Sequence, residues 1–193
     1  MRILSFLSLS ALAVASSIDV CHQLHSAYPE YVVWDPLSAQ ALQTIGNASL
    51  YATARTEYWN GVNAKNRPAC VFFPATAQHV SAAVEKLNEY PSVQFALKSG
   101  GHNFNVGLSS TANGVLISFN ENLSSVKRSD DGESFEVGAG ARWGDVYKVG
   151  AETNQVAVGG RLSNIGVAGF TLGGGLSYYS AQYVSVVALT PNR

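Results

Sequence analysis

The stretch from Ala69 to Leu97 constrains the fold most. Ala69-Cys70-Val71-Phe72-Phe73 is a short unbroken apolar run that Pro74 ends, and Thr76 stands where a helix N-cap belongs. Val80, Ala83, Val84 and Leu87 then recur at i, i+3, i+4 and i+7, one face of a helix. After Tyr90-Pro91 a second apolar run, Val93 to Leu97, reads as another strand. Strand, helix and strand within about 30 residues make a βαβ unit, with parallel strands and a right-handed crossover. Val115-Leu116-Ile117-Ser118-Phe119 supplies a third strand, Ser134 to Val137 another, and Trp143 to Glu152 a helix. Upstream, residues 17–27 read as a short helix capped by Ser16 or Ser17. Asp35-Pro36 marks a turn, and residues 37–59 carry weak helical periodicity. The class is α/β or α+β with at least part of its sheet parallel, without internal repeats or low-complexity tracts.

Composition narrows the partners. Of 193 residues 47% are hydrophobic and 13% charged, and the net charge is −1 with no Lys/Arg run. Such a chain is too apolar for disorder, and charge alone draws it to neither nucleic acid nor an anionic membrane. Its start is different in kind: Arg2, an apolar stretch from Ile3 to Ala15, and small residues in Ala13-Val14-Ala15. That pattern predicts a secretory signal peptide over residues 1–16, too short to span a membrane. The leader implies a secreted chain, and with no second long apolar run the mature part is expected to be soluble; a monomer is expected, though no sequence feature fixes the oligomeric state. Asn47-Ala48-Ser49 and Asn122-Leu123-Ser124 are N-glycosylation triplets that agree with this route. Cys21 and Cys70 are the only cysteines, and a disulfide between them would tie the first helix to the first strand of the core. The alternative, a metal held by Cys21, His22 and His25, lacks a fourth ligand and the usual Cys-x2-Cys frame, so no metal is expected.

Chemistry in a sheet of this kind sits beyond the carboxyl ends of its parallel strands. There the chain reads Lys98-Ser99-Gly100-Gly101-His102-Asn103. Paired glycines let backbone N–H groups converge on an anion, with His102 beside them; the other reading is a tight turn with a solvent-facing histidine. A second stretch runs through Gly159, Gly160, Gly166, Gly169, Gly173, Gly174 and Gly175, seven glycines in seventeen residues. Backbone so stripped can pass close to a large flat or phosphate-bearing ligand, or it can simply form turns and bulges. Gly138-Ala139-Gly140-Ala141-Arg142-Trp143-Gly144 imitates a dinucleotide fingerprint but is one residue too long, and no parallel strand with a terminal acid follows. A nicotinamide dehydrogenase would have to rest on that segment. Hydrolase elbows, metal-spaced histidines and Walker loops are absent from the sequence, and His79 on the capped helix reads as a surface or core-edge residue.

These residues together resemble the berberine-bridge-enzyme-like oxidoreductases of the vanillyl-alcohol-oxidase type. Lys98 to His102 is similar to the family's flavin-attachment loop. Val137 to Asp145 resembles its strand-to-helix segment, and Gly159-Gly160-Arg161, Gly166 to Gly169 and Gly173 to Gly175 its second FAD-binding stretch. Cys21 and Cys70 stand where many relatives have a disulfide. The resemblance spans Cys70 to Tyr183 and implies an α+β fold with a small parallel βαβ subdomain and a second mixed-sheet subdomain. It implies FAD linked covalently to His102, Ser99, Gly100, Gly101 and Asn103 around the pyrophosphate, and Gly166, Gly169 and Gly173 to Gly175 along the cofactor's other side.

By the same resemblance a small alcohol or similar C–H donor passes hydride to the flavin, and oxygen accepts the electrons. A covalent link raises the flavin's potential and retains it outside the cell. Where doubly linked relatives have a cysteine, eleven residues before the triple glycine, this chain has Leu162, so only the histidyl link is expected. The expected organisation is a helical segment over residues 17–65 and an incomplete FAD-binding domain over 66–193, with the family's substrate domain and its general base absent. The competing reading is a truncated secreted remnant that binds FAD weakly or not at all.

Overall fold

A computed structural model of the chain describes residues 17–41 and 47–183. The expected signal peptide, residues 42–46 of the weakly helical stretch and the segment after Tyr183 lie outside the described residues. The chain divides into two units: one holds the residues up to Lys98 together with Asn103–Ser118, the other Ser99–His102 together with the residues from Phe119 onward.

The first unit is built on a four-stranded sheet. Residues 17–27 form helix α1. Then come β1 (Val32–Trp34), α2 (Ala48–Thr56), β2 (Cys70–Phe72), α3 (Ala77–Asn88), β3 (Phe95–Lys98) and β4 (Val115–Ser118). The strand order is β1-β2-β4-β3. β4 lies parallel to both β2 and β3, with Leu116 opposite Val71 on one side and Ala96 on the other, and β1 runs antiparallel to β2. The expected βαβ unit is present as β2-α3-β3, with β4 inserted between its strands. Thr76 caps α3, its hydroxyl accepting the His79 N–H at 3.1 Å. His79 is half-buried at the core edge, its ring 4.6 Å from that of Tyr28 and 5.0 Å from that of Tyr31.

Burial explains the strand sequences. β2 and β4 are central and covered on both faces, so every residue in them is buried and their sequences are near-continuous apolar runs. β3 lies at the sheet edge and alternates, with Ala96 and Lys98 buried and Phe95 and Leu97 exposed. One face of the sheet packs Val33, Val71, Ala96 and Leu116 against Tyr51 and Ala54 of α2. On α1, Cys21 is fully buried and bonded to Cys70 of β2, with Cα atoms 6.0 Å apart. The sulfur of Cys21 is therefore not a thiolate ligand, and His22 and His25 pack on Trp34 with ring centroids at 4.7 and 6.1 Å.

The second unit holds β5 (Val126–Arg128) and β6 (Phe135–Val137), an antiparallel pair, followed by α4 (Trp143–Glu152), α5 (Val167–Leu172) and α6 (Ser180–Tyr183). The strand ahead of the Gly138–Gly144 segment is thus antiparallel to its neighbour, whereas a nicotinamide fingerprint needs a parallel strand there. Asp145 accepts the Arg142 N–H at 3.0 Å and starts α4.

Two strands were not expected. β1 lies inside the stretch read as helical, because Val32-Val33-Trp34 is too short to show a period and is held by pairing with β2. β5 was missed because two of its three residues, Lys127 and Arg128, are charged and exposed.

The disulfide joins residues 49 apart in the chain, a closure worth on the order of 4 kcal/mol in the unfolded ensemble. Replacing both Cys21 and Cys70 by serine is expected to lower unfolding free energy by about 2–4 kcal/mol, read as an earlier urea midpoint.

Candidate functional site

Lys98, the last residue of β3, is fully buried despite its charge. Its ammonium donates to the Ala54 carbonyl at 2.6 Å and lies 4.4 Å from the centroid of the Tyr58 ring. Burial pushes the Tyr58 phenol well above its ordinary pKa, so it stays protonated and donates to the Ser109 carbonyl at 2.6 Å. These contacts all lie within the first unit, at the carboxyl end of β3.

In the second unit that loop meets the two other glycine-bearing segments. Ser99 Oγ donates to the Ala139 carbonyl at 2.7 Å. Gly100 and Gly166 pack backbone against backbone: a Cβ on Gly100 would lie 2.4 Å from Gly166 N, and one on Gly166 would lie 2.4 Å from Gly100 N. Arg142 Nη1 donates to the Gly100 carbonyl at 3.5 Å and also bonds the Asn164 carbonyl. Arg142 and Gly166 form an antiparallel bridge, with Trp143 N–H bonding Ile165 O at 3.0 Å and Val167 N–H bonding Ala141 O at 2.9 Å. Segments 99–102, 138–144 and 159–169, far apart in the chain, are thus one hydrogen-bonded assembly.

The glycines divide by what occupies the space beside them. At Gly159 a Cβ would strike the Trp143 ring at 2.0 Å, and at Gly175 the Phe170 ring at 2.4 Å. These serve packing within the protein. Gly169, on α5, meets nothing within 4 Å and is exposed. Gly101 has φ +68, a conformation that L side chains rarely adopt. The backbone N–H groups of Gly100 and Gly101 donate to no acceptor among the described residues, and the His102 side chain is exposed. Tyr147, whose phenol is pushed up first by burial and then by Tyr178 and Tyr179, donates to Gly160 O at 2.7 Å.

A family model described as the FAD binding domain matches residues 68–190. The chain belongs to this family. An FAD-linked oxidoreductase of Arthroderma benhamiae is 38% identical over 148 residues, covering 76% of this chain and 29% of the relative. The chain therefore spans less than a third of that relative's length. Among solved structures, a berberine-bridge-enzyme-like protein of Physcomitrella patens superposes with TM-score 0.67 at 22% identity, over 86% of this chain and 33% of that one. Glucooligosaccharide oxidase of Acremonium strictum, described with a 6-S-cysteinyl, 8α-N1-histidyl FAD, superposes with TM-score 0.65 at 20% identity, over 89% and 32%. These likenesses show the fold expected from the sequence: an α+β, vanillyl-alcohol-oxidase type FAD-binding domain.

The residues fit FAD. The Gly100 and Gly101 N–H groups, which have no acceptor among the described residues, can receive an anion, open space lies beside Gly169, and the exposed His102 follows them. Of the residues named from sequence, Ser99, Gly100, Gly101, His102 and Gly166 lie in the one assembly, and Gly169, Gly173, Gly174 and Gly175 follow along and just beyond α5 in the same unit. Asn103 falls in the first unit. Arg142 and Trp143, which knit the segments together, gave no sequence signal beyond the imperfect fingerprint around them.

Gly159→Ala is expected to cost about 1–3 kcal/mol through overpacking against Trp143. Gly169→Ala, within a helix and facing open space, should leave the flavin-free chain as stable or up to about 1 kcal/mol more so. Urea unfolding of the two variants checks the contrast.

Proposed function

We propose that this chain is the FAD-binding part of a secreted FAD-dependent oxidase and that it holds FAD through a single covalent bond at His102. The observation that carries the reading is the assembled loop, where an exposed histidine follows two backbone amides that have no acceptor among the described residues, beside the Gly100–Gly166 packing. When bound, FAD accepts hydride from a C–H donor such as an alcohol and passes the electrons to oxygen. The chain's own part is to hold and orient. Gly100 and Gly101 N–H groups receive the pyrophosphate, Ser99 braces the loop through Ala139, Gly169 and Gly173 to Gly175 leave room along the cofactor, and His102 anchors it.

Leu162 stands where a second, cysteinyl anchor belongs in the doubly linked relatives, so one link is available. Secretion is supported by the exposed positions of Asn47 and Asn122, both in glycosylation triplets, and by the buried disulfide. Among the described residues, no helix is long and apolar enough to cross a membrane. Residues 66–193 form the FAD-binding region in this reading.

The test is to express the chain through a secretory route, precipitate it with acid and follow the flavin. Yellow colour kept in the washed pellet, and lost from the pellet of His102→Ala, is the expected result. Soluble, colourless protein overturns the reading and leaves the non-catalytic remnant in its place.

A further inference from the structure

Beyond His102 the chain enters a segment, Asn103 to Ser110, that one buried amide bonds at four points. Asn63 is fully buried. Its Nδ2 donates to the Asn103 carbonyl at 3.0 Å and the Asn105 carbonyl at 3.3 Å. Its Oδ1 accepts the Gly107 N–H at 3.2 Å and the Ser110 hydroxyl at 2.9 Å. Both donors and both acceptor sites of the amide are thereby used. Asn60 Nδ2 adds a bond of 2.7 Å to the Phe104 carbonyl. Apolar packing contributes little, since Phe104, Val106 and Leu108 are 67%, 60% and 64% exposed. A hydrocarbon of asparagine's size at position 63 would leave the carbonyls and N–H groups around it unpaired.

We infer that Asn63 is a positioning residue for covalent attachment at His102, an inference that rests on the function proposed above. Asn103 is the next residue after His102, so the bond from Asn63 to its carbonyl fixes the backbone on the carboxyl side of the histidine. Linkage exchanges a C–H bond of the flavin's 8α-methyl group and the imidazole N–H for one C–N bond. Two protons and two electrons are released, and dioxygen takes them up as hydrogen peroxide. This reaction needs the imidazole held at the methyl carbon, and small displacements slow such steps steeply. Binding of the cofactor by other groups does not require it. Asn63 therefore governs linkage more than binding.

The experiment uses the full chain, produced without flavin and mixed with FAD in air. Total bound flavin, acid-stable flavin against time, and protease cleavage between residues 103 and 110 before FAD is added are measured for wild type and Asn63→Asp. The aspartate keeps the size and acceptor atoms but loses both donated bonds. Expected are attachment slowed about tenfold or more, segment cleavage about tenfold faster, and near-normal total binding. Attachment at the wild-type rate, or cleavage unchanged, overturns the role given to Asn63. Loss of binding and linkage in equal measure also overturns it, since that is what a merely structural residue would show. If Asn63→Asp does not fold, Asn60→Ala decides. Losing its bond to the Phe104 carbonyl, together with the one it accepts from the Val62 N–H, should slow attachment about threefold, and an unchanged rate overturns the proposal. A wild-type chain that never forms acid-stable flavin sinks the underlying function instead.

Discussion

The contact between the backbones of Gly100 and Gly166 sets the geometry on which the rest of the candidate site depends. With Gly166 N only 2.4 Å from where a Cβ of Gly100 would lie, no other residue fits at either position without moving a main chain. That approach lets Arg142 reach the Gly100 carbonyl and the Asn164 carbonyl together, and it aligns the bridge from Arg142 to Gly166. The Gly100 carbonyl and the Ser99 hydroxyl bond other protein groups, while the N–H groups of Gly100 and Gly101 donate to no acceptor among the described residues. In the proposed function these amides receive the anion, a backbone solution that suits a chain with a net charge of −1 and no cluster of basic residues.

Placing an ammonium group at the start of that loop is costly, and the structure shows how the cost is met. Lys98 is 1% exposed, yet its charge is offset by the Ala54 carbonyl and by the face of the Tyr58 ring. The phenol of that ring is itself satisfied by Ser109 O. A buried polar group of this kind has few alternative arrangements, so it defines a single geometry where an apolar side chain would tolerate several.

The parts of the fold legible in the sequence were those set by local periodicity. The helix from Ala77 to Asn88 followed from Thr76 and four apolar positions, and α4 began and ended where its pattern did. Insertion of β4 between β2 and β3 was not legible, because pairing order depends on contacts between distant residues that no local pattern records. The glycines were legible as a dense set but not in their separate purposes. Gly159 and Gly175 clear aromatic rings, Gly166 clears another backbone, and Gly169 clears nothing within the protein. Asn63 was invisible in sequence, since an asparagine in a polar loop carries no mark of the four partners it gathers from residues 103 to 110.

Trp143 has a consequence for how such a chain can change over time. Its ring fills the space that side chains at Gly159 and Gly160 would otherwise claim, and Phe170 meets it edge-on at 5.3 Å. A larger residue at either glycine becomes tolerable only after the indole has been exchanged for something smaller, and a smaller residue at 143 first opens a void that side chains at those glycines are placed to refill. Neither step is free taken alone, in either order. The three positions form a locked set in which single substitutions are selected against and paired ones survive, so across descendants they should vary together or not at all.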